Sequence, residues 1–150
     1  MPLFKISGLI FVFGACALSG LLKAENLKRR SQRLEEILKS LSRLGELVRI
    51  GGYEITELIN LCFDSKVIKN RDGNFFISEE YLLKEDTALL KDFFGGFGTV
   101  DKEGEYERTR LYYSLLKQQY TAALRSYSEL GRLYCTLGLL GGLILCIFLM

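Results

Sequence analysis

Residues 6–22 read ISGLIFVFGACALSGLL and contain no Asp, Glu, Lys or Arg; residues 133–150, LYCTLGLLGGLILCIFLM, have the same character at the other end. An α-helix rises about 1.5 Å per residue, so each stretch is about 26 Å long against a bilayer core of roughly 30 Å. Slight shortness is met by snorkelling, which Lys5 and Lys23 supply around the first stretch and Arg132 at the start of the second. The sequence therefore predicts two transmembrane helices, 1–22 and 133–150, around a polar region 23–132. A cleaved signal, or a lipoprotein box at Phe13-Gly14-Ala15-Cys16, is the rival reading of the first. Against it, apolar residues continue through Leu21 and Leu22, and the basic cluster follows the run instead of preceding it.

That cluster sets the orientation. Lys23, Lys28, Arg29, Arg30 and Arg33 follow the first span, and Arg125 and Arg132 precede the second. Basic residues beside a membrane helix stay on the cytoplasmic side, which predicts a cytoplasmic central region with both termini outside.

Working inward, Leu27, Leu34, Leu41 and Val48 recur every seven residues, with Ile37 and Leu44 between them, a heptad seam that Gly51-Gly52 ends. The second half repeats the spacing with tyrosine at Tyr106, Tyr113, Tyr120, Tyr127 and Tyr134, five of the eight tyrosines, while Leu116, Ala123, Leu130 and Leu137 fall three places later. Asp101 is the expected N-cap of a helix running from about Lys102 into the second span. Helices that leave one membrane surface side by side run antiparallel, which brings Leu27 level with Tyr127, Leu34 with Tyr120, Leu41 with Tyr113 and Val48 with Tyr106. Core packing explains the stripe more simply than stacking on a ligand or partner.

Between the seams, Ile55, Leu58, Ile59 and Cys62 predict a short helix, and Asn70-Arg71-Asp72-Gly73 a turn. Ser78 is a candidate cap for a helix that carries Tyr81, Leu82, Leu89, Leu90, Phe93 and Phe94 and stops at Gly95-Gly96. The expected fold is all-α: a cytoplasmic antiparallel bundle of four or five helices between two membrane spans.

Composition excludes several chemistries. With no His, imidazole bases and the usual zinc sites are absent, and the 4 Cys lie in apolar surroundings without a disulfide pattern. A net charge of +2 argues against nucleic acid. Gly95-Gly96-Phe97-Gly98 lacks the Lys-Ser or Lys-Thr of a phosphate loop and reads as a turn. No catalytic, cofactor or metal constellation emerges, so the chain is not expected to be an enzyme. Glu79, Glu80, Glu85, Asp86, Asp92, Asp101, Glu103, Glu105 and Glu107 crowd the part far from the membrane ends. They form either solvated helix faces or an acidic docking surface for a basic partner, with Glu79, Glu80, Glu85, Asp86, Glu103 and Glu105 as candidates. Gly138 and Gly142 make a small-xxx-small surface for helix packing within the chain or between copies, and Ala15 with Ser19, or Cys16 with Gly20, a weaker one.

Taken together these residues resemble the stage III sporulation protein AB family of endospore-forming bacteria. Phe97-Gly98-Thr99-Val100-Asp101-Lys102-Glu103-Gly104-Glu105 opening a long terminal helix carries most of the likeness. The chain end from Leu137 to Leu145 and the Arg-rich start after the first span carry the rest; residues 51–76 match poorly. The resemblance implies a non-enzymatic part of the channel-like apparatus between mother cell and forespore, in the mother-cell (outer forespore) membrane, similar to the platform proteins of type II secretion and type IV pilus machines. By the same likeness the partners would be the sporulation protein AA ATPase and the AC to AH membrane proteins. A membrane-tethered coiled-coil scaffold in division or wall assembly is the alternative from the residues alone.

Overall fold

The computed structural model describes residues 2–52, 54–64, 67–71 and 74–149. Its elements run α1 (Pro2–Ile50), α2 (Ile55–Cys62), β1 (Ile68–Arg71), β2 (Asn74–Ile77), α3 (Lys84–Gly95) and α4 (Lys102–Leu149). Two helices of 49 and 48 residues dominate. Both contain stretches long and apolar enough to cross a membrane, and only 6% and 11% of those stretches are buried. The core helix of a water-soluble protein would be mostly covered; here Phe11, Ile144 and Phe148 are 84%, 66% and 89% exposed. The first of these helices passes through Cys16 without a break.

The chain divides into two compact units, Met1–Ser31 with Ala122–Met150, and Gln32–Thr121. In the first, Leu9 lies by Cys146, whose Sγ is 3.6 Å from the Leu9 carbonyl, and Gly20 lies by Gly138, so the two helices run antiparallel. The glycines permit that approach: a Cβ on Gly20 would sit 2.5 Å from the Tyr134 carbonyl oxygen and 3.3 Å from the Gly138 Cα. A Cβ on Gly142 would meet the Phe13 ring at 2.9 Å and the Cys16 Cβ at 3.5 Å. Lys23 places its ammonium 5.3 Å from the centre of the Tyr134 ring.

In the second unit Leu34, Ile37, Leu41 and Leu44 of α1 are fully buried and Val48 nearly so, as a heptad stripe facing a neighbour requires. Gly51 and Gly52, at φ +75° and +95°, then take the left-handed conformation that closes a helix, and the Gly51 amide donates to the Leu47 carbonyl. On α4 the buried column is Glu105, Thr109, Tyr112 and Leu116. Tyr106, Tyr113 and Tyr120 are half-buried beside it. One residue along a helix turns about 100°, so the tyrosine stripe lies at the edge of the contact instead of its centre. The cause is a third element: α4 meets α1 where Gly45 faces Thr109 and also meets α3, where Phe93 packs 5.3 Å from Tyr112. Its buried face points between the two. In the first unit Leu27 is half-buried and Tyr127 is 37% exposed.

Two elements depart from the expected all-helical midsection. Residues 68–71 and 74–77 pair as antiparallel strands, with Ile68 opposite Ile77 and Arg71 opposite Asn74; Asp72 and Gly73 of the expected turn lie outside the described residues. And α3 starts at Lys84, not near Ser78. Tyr81 has φ +64°, which no helix accommodates, and the Leu83 amide donates to Asp86 Oδ2 at 3.0 Å, capping the helix there. Four helices are present among the described residues. Phe63, Phe75, Phe93, Phe94 and Phe97 pack edge-on or tilted with centroids 5.0–5.8 Å apart, joining α2, β2 and α3.

Candidate functional site

Several polar contacts of the second unit gather at the start of α4. Asp101 Oδ1 accepts from the Gly104 amide at 3.2 Å, the expected N-cap. Lys102 extends to the Ile50 carbonyl at 3.3 Å, placing a cation at the negative end of α1. Glu105 turns back, and its Oε1 accepts from the Gly98 amide at 2.7 Å. Arg108 donates to the carbonyls of Asp92 (2.7 Å) and Phe93 (3.4 Å), closing the C-terminal turn of α3, and its guanidinium carbon lies 5.4 Å from the Tyr112 ring centre. The Tyr112 hydroxyl donates to the Asp92 carboxylate. That bond, with burial and the Asp92 charge, raises the Tyr112 pKa, against a smaller opposing pull from Arg108.

These roles divide the acidic candidates. Glu105 is 6% exposed and Asp86 fully buried, and each carboxylate accepts a backbone amide of its own unit. Both leave the docking set, because a side chain spent on capping inside the fold presents no charge to a partner. Glu79, Glu80, Glu85 and Glu103 are exposed. Glu79 receives Lys91 at 2.7 Å, and that hydrogen bond and charge lower its pKa. Both side chains are more than 60% exposed, so the pair contributes little to stability. The expected Gly95–Gly98 turn is present: α3 ends at Gly95, and the Thr99 hydroxyl donates to the Gly96 carbonyl.

No cluster of three or more His, Cys, Asp or Glu able to hold a metal occurs among the described residues. Cys62 is buried and reduced, and burial raises its pKa despite the nearby Arg43, which makes it a poor nucleophile. In the first unit Gly138 and Gly142 both face α1 of the same chain, the former at Gly20 and Cys16, the latter at Phe13 and Cys16.

Sequence reasoning did not single out Lys102, Arg108 or Tyr112. Lys and Arg suit helix C-termini, but the carbonyls they meet belong to other helices, and spacing along one helix cannot show that.

No curated protein and no solved structure matches the chain. The family model described as stage III sporulation protein AB matches residues 68–150, that is both strands, α3 and all of α4. The first span and the Arg-rich start after it fall outside the match, so the likeness is narrower than the sequence reading had it. The matched segment is more than half of the sequence: the chain belongs to the stage III sporulation protein AB family, which carries with it a role in sporulation.

Proposed function

We propose that the chain is a non-enzymatic membrane component of the apparatus linking mother cell and forespore. In this reading α1 and α4 are anchored through their lipid-facing ends in the mother-cell membrane, and residues 23–132 lie in the cytoplasm as a helical bundle. That region would serve as the platform that couples the sporulation protein AA ATPase to the remaining AC to AH membrane proteins. Family membership is the observation that carries the reading. Two further features support it: apolar helices little covered by their own fold, and the exposed carboxylates Glu79, Glu80, Glu85 and Glu103 of the second unit. Such a surface suits a basic partner, and rim charges act mainly on association rate and partner choice.

The test is capture of the purified ATPase by the full chain in lipid nanodiscs at low and high salt. Charge reversal of Glu79, Glu80, Glu85 and Glu103 together should abolish capture and block spore development in a complemented deletion strain, with vegetative division unchanged. Unaltered capture by the reversed protein removes the acidic surface from the proposal. A deletion strain that sporulates normally but divides poorly removes the function itself.

A further inference from the structure

In the first unit, a groove of about 700 Å³ opens where the polar part of α4 gives way to its apolar run. Tyr127, Ser128 and Arg132 line its polar end, Cys135 and Thr136 its apolar end, and the small Gly131 and Ala24 add little bulk. Arg132 is the only charged side chain on it, and no carboxylate lines it. Three other cations near this boundary are engaged: Arg125 with Glu129 at 2.9 Å, Arg29 with Glu25 at 3.2 Å, and Lys23 over the Tyr134 ring. The exposed Arg132 guanidinium has no hydrogen bond or ion pair among the described residues. The Ser128 and Thr136 hydroxyls donate to carbonyls of their own helix, those of Arg125 and Arg132, so the charge of a ligand falls to Arg132.

Electrostatics set the sign of that ligand. Residues 23–31 and 122–132 carry six basic side chains and two acidic ones, and both acids are already paired. An anion gains from this field, whereas a zwitterionic headgroup finds no carboxylate in the groove for its ammonium. Position sets the rest of its chemistry. Volumes of roughly 300–1,000 Å³ suit organic molecules, and Cys135 and Thr136 carry the groove into the apolar run 133–150, where Leu133, Leu137 and Leu140 are about half exposed. A molecule anionic at the level of Arg132 and apolar below it is a phospholipid with a net negative headgroup, and a guanidinium matches two phosphate oxygens at once.

We propose that this groove holds one anionic phospholipid of the surrounding bilayer, with Arg132 donating to its phosphate and its acyl chains descending past Cys135 and Thr136 along the apolar face of α4. The site requires that the apolar ends lie in lipid, and it does not depend on the acidic surface or on the ATPase.

The test uses the full chain in maltoside micelles, which carry no phosphate, with the Ala24 and Gly131 amide shifts as readout. Phosphatidylglycerol should bind saturably, and phosphatidylcholine with the same acyl chains at least tenfold more weakly. Arg132→Gln should weaken phosphatidylglycerol at least tenfold, whereas Lys28→Gln, which loses the same charge from an exposed position outside the groove, should stay within threefold. Ala24→Leu narrows the groove and keeps every charge, and it should also weaken binding at least tenfold. Equal binding of the two lipids, no saturation, equal losses in Arg132→Gln and Lys28→Gln, or wild-type affinity in a folded Ala24→Leu overturns the proposal. So does glycerol phosphate saturating the same shifts as tightly as the lipid, which would mark a site for free anions. Should Ala24→Leu fail to fold, the comparison of Arg132→Gln with Lys28→Gln decides alone, because both side chains are exposed.

Discussion

Leu116→Ala should open the second unit more than Tyr113→Ala, although heptad spacing places both residues on the seam. Leu116 is fully buried on the column that faces α1 and α3, while Tyr113 is half-buried beside it. Truncating a fully buried Leu costs about 2–5 kcal/mol, and a side chain that already borders solvent loses roughly half as much contact. The assay can read from inside the unit, because Cys62 is buried and free, so a thiol reagent reaches it only when the fold opens. With Cys16, Cys135 and Cys146 changed to Ser, labelling of the full chain in micelles follows the open population when closing outpaces modification. Each 1.36 kcal/mol is then a factor of ten, so Leu116→Ala should label roughly 30- to 5,000-fold faster. Tyr113→Ala, at about half that cost, should label only roughly 5- to 70-fold faster. A steep rise of the labelling rate with urea confirms that the opening exposes a large surface. Tyr113→Ala accelerating more than Leu116→Ala, in the urea-dependent regime, refutes the assignment of the buried column.

In the first unit, Gly142→Cys should form a disulfide with Cys16 on mild oxidation, since the new Cβ would lie 3.5 Å from that of Cys16, within the span such bonds adopt. Mass spectrometry should find the bond within one chain; a product joined only between copies contradicts the helix pairing. Stability of the second unit, followed by urea unfolding, should fall as pH rises above roughly 8.5 and again above roughly 10. Cys62 and Tyr112 both have raised pKa values when folded, so the unfolded chain gives up each proton first and gains from it as pH rises. Cys62→Ala should remove the first decline and leave the second. Gly96→Ala should loosen the end of α3, because its Cβ would occupy the space of the Arg108 guanidinium. The expected sign is faster amide exchange at Phe94 and Phe97, and protection equal to wild type would show that Arg108 relocates at no cost.

The long helices were legible because their signals are local and repeated. Charge-free runs, seven-residue spacing on α1, the glycine stop at Gly51-Gly52 and the Asp101 cap each depend on neighbours within about two turns. The two short strands left a weaker mark: β1 is Ile-Lys-Asn-Arg, with one apolar residue in four, so period-two alternation has almost nothing to register there. Where α3 begins was hidden because an acidic third residue with no polar residue at the cap is a weak signal, and Leu83 carries no hydrogen-bonding side chain. The edge position of the tyrosines was hidden for a different reason. A heptad describes a helix with one neighbour, and α4 has two in this unit.

The same distinction separates the acidic residues. Composition groups Glu79, Glu80, Glu85, Asp86, Glu103 and Glu105 by charge and position, yet a carboxylate one or two turns from a helix start has two competing uses. It can face solvent, or it can return to an orphan amide, and the choice follows from whether the preceding backbone brings a donor within reach. For Asp86 the donor is Leu83, three residues back; for Glu105 it is Gly98, seven back across the turn that follows α3. Glu103, two residues before Glu105 and so on the other side of the helix, stays exposed. A partner that reads charge at long range meets only the exposed group. Mutations at Glu103 and Glu105 should therefore separate: reversal at Glu103 should change the association rate and its salt dependence, whereas Glu105→Gln, at a carboxylate that caps the Gly98 amide inside the fold, should lower the stability of the second unit and leave that salt dependence as it was. Equal salt dependence for the two would mean that both act as surface charge, and the division by capping would fail.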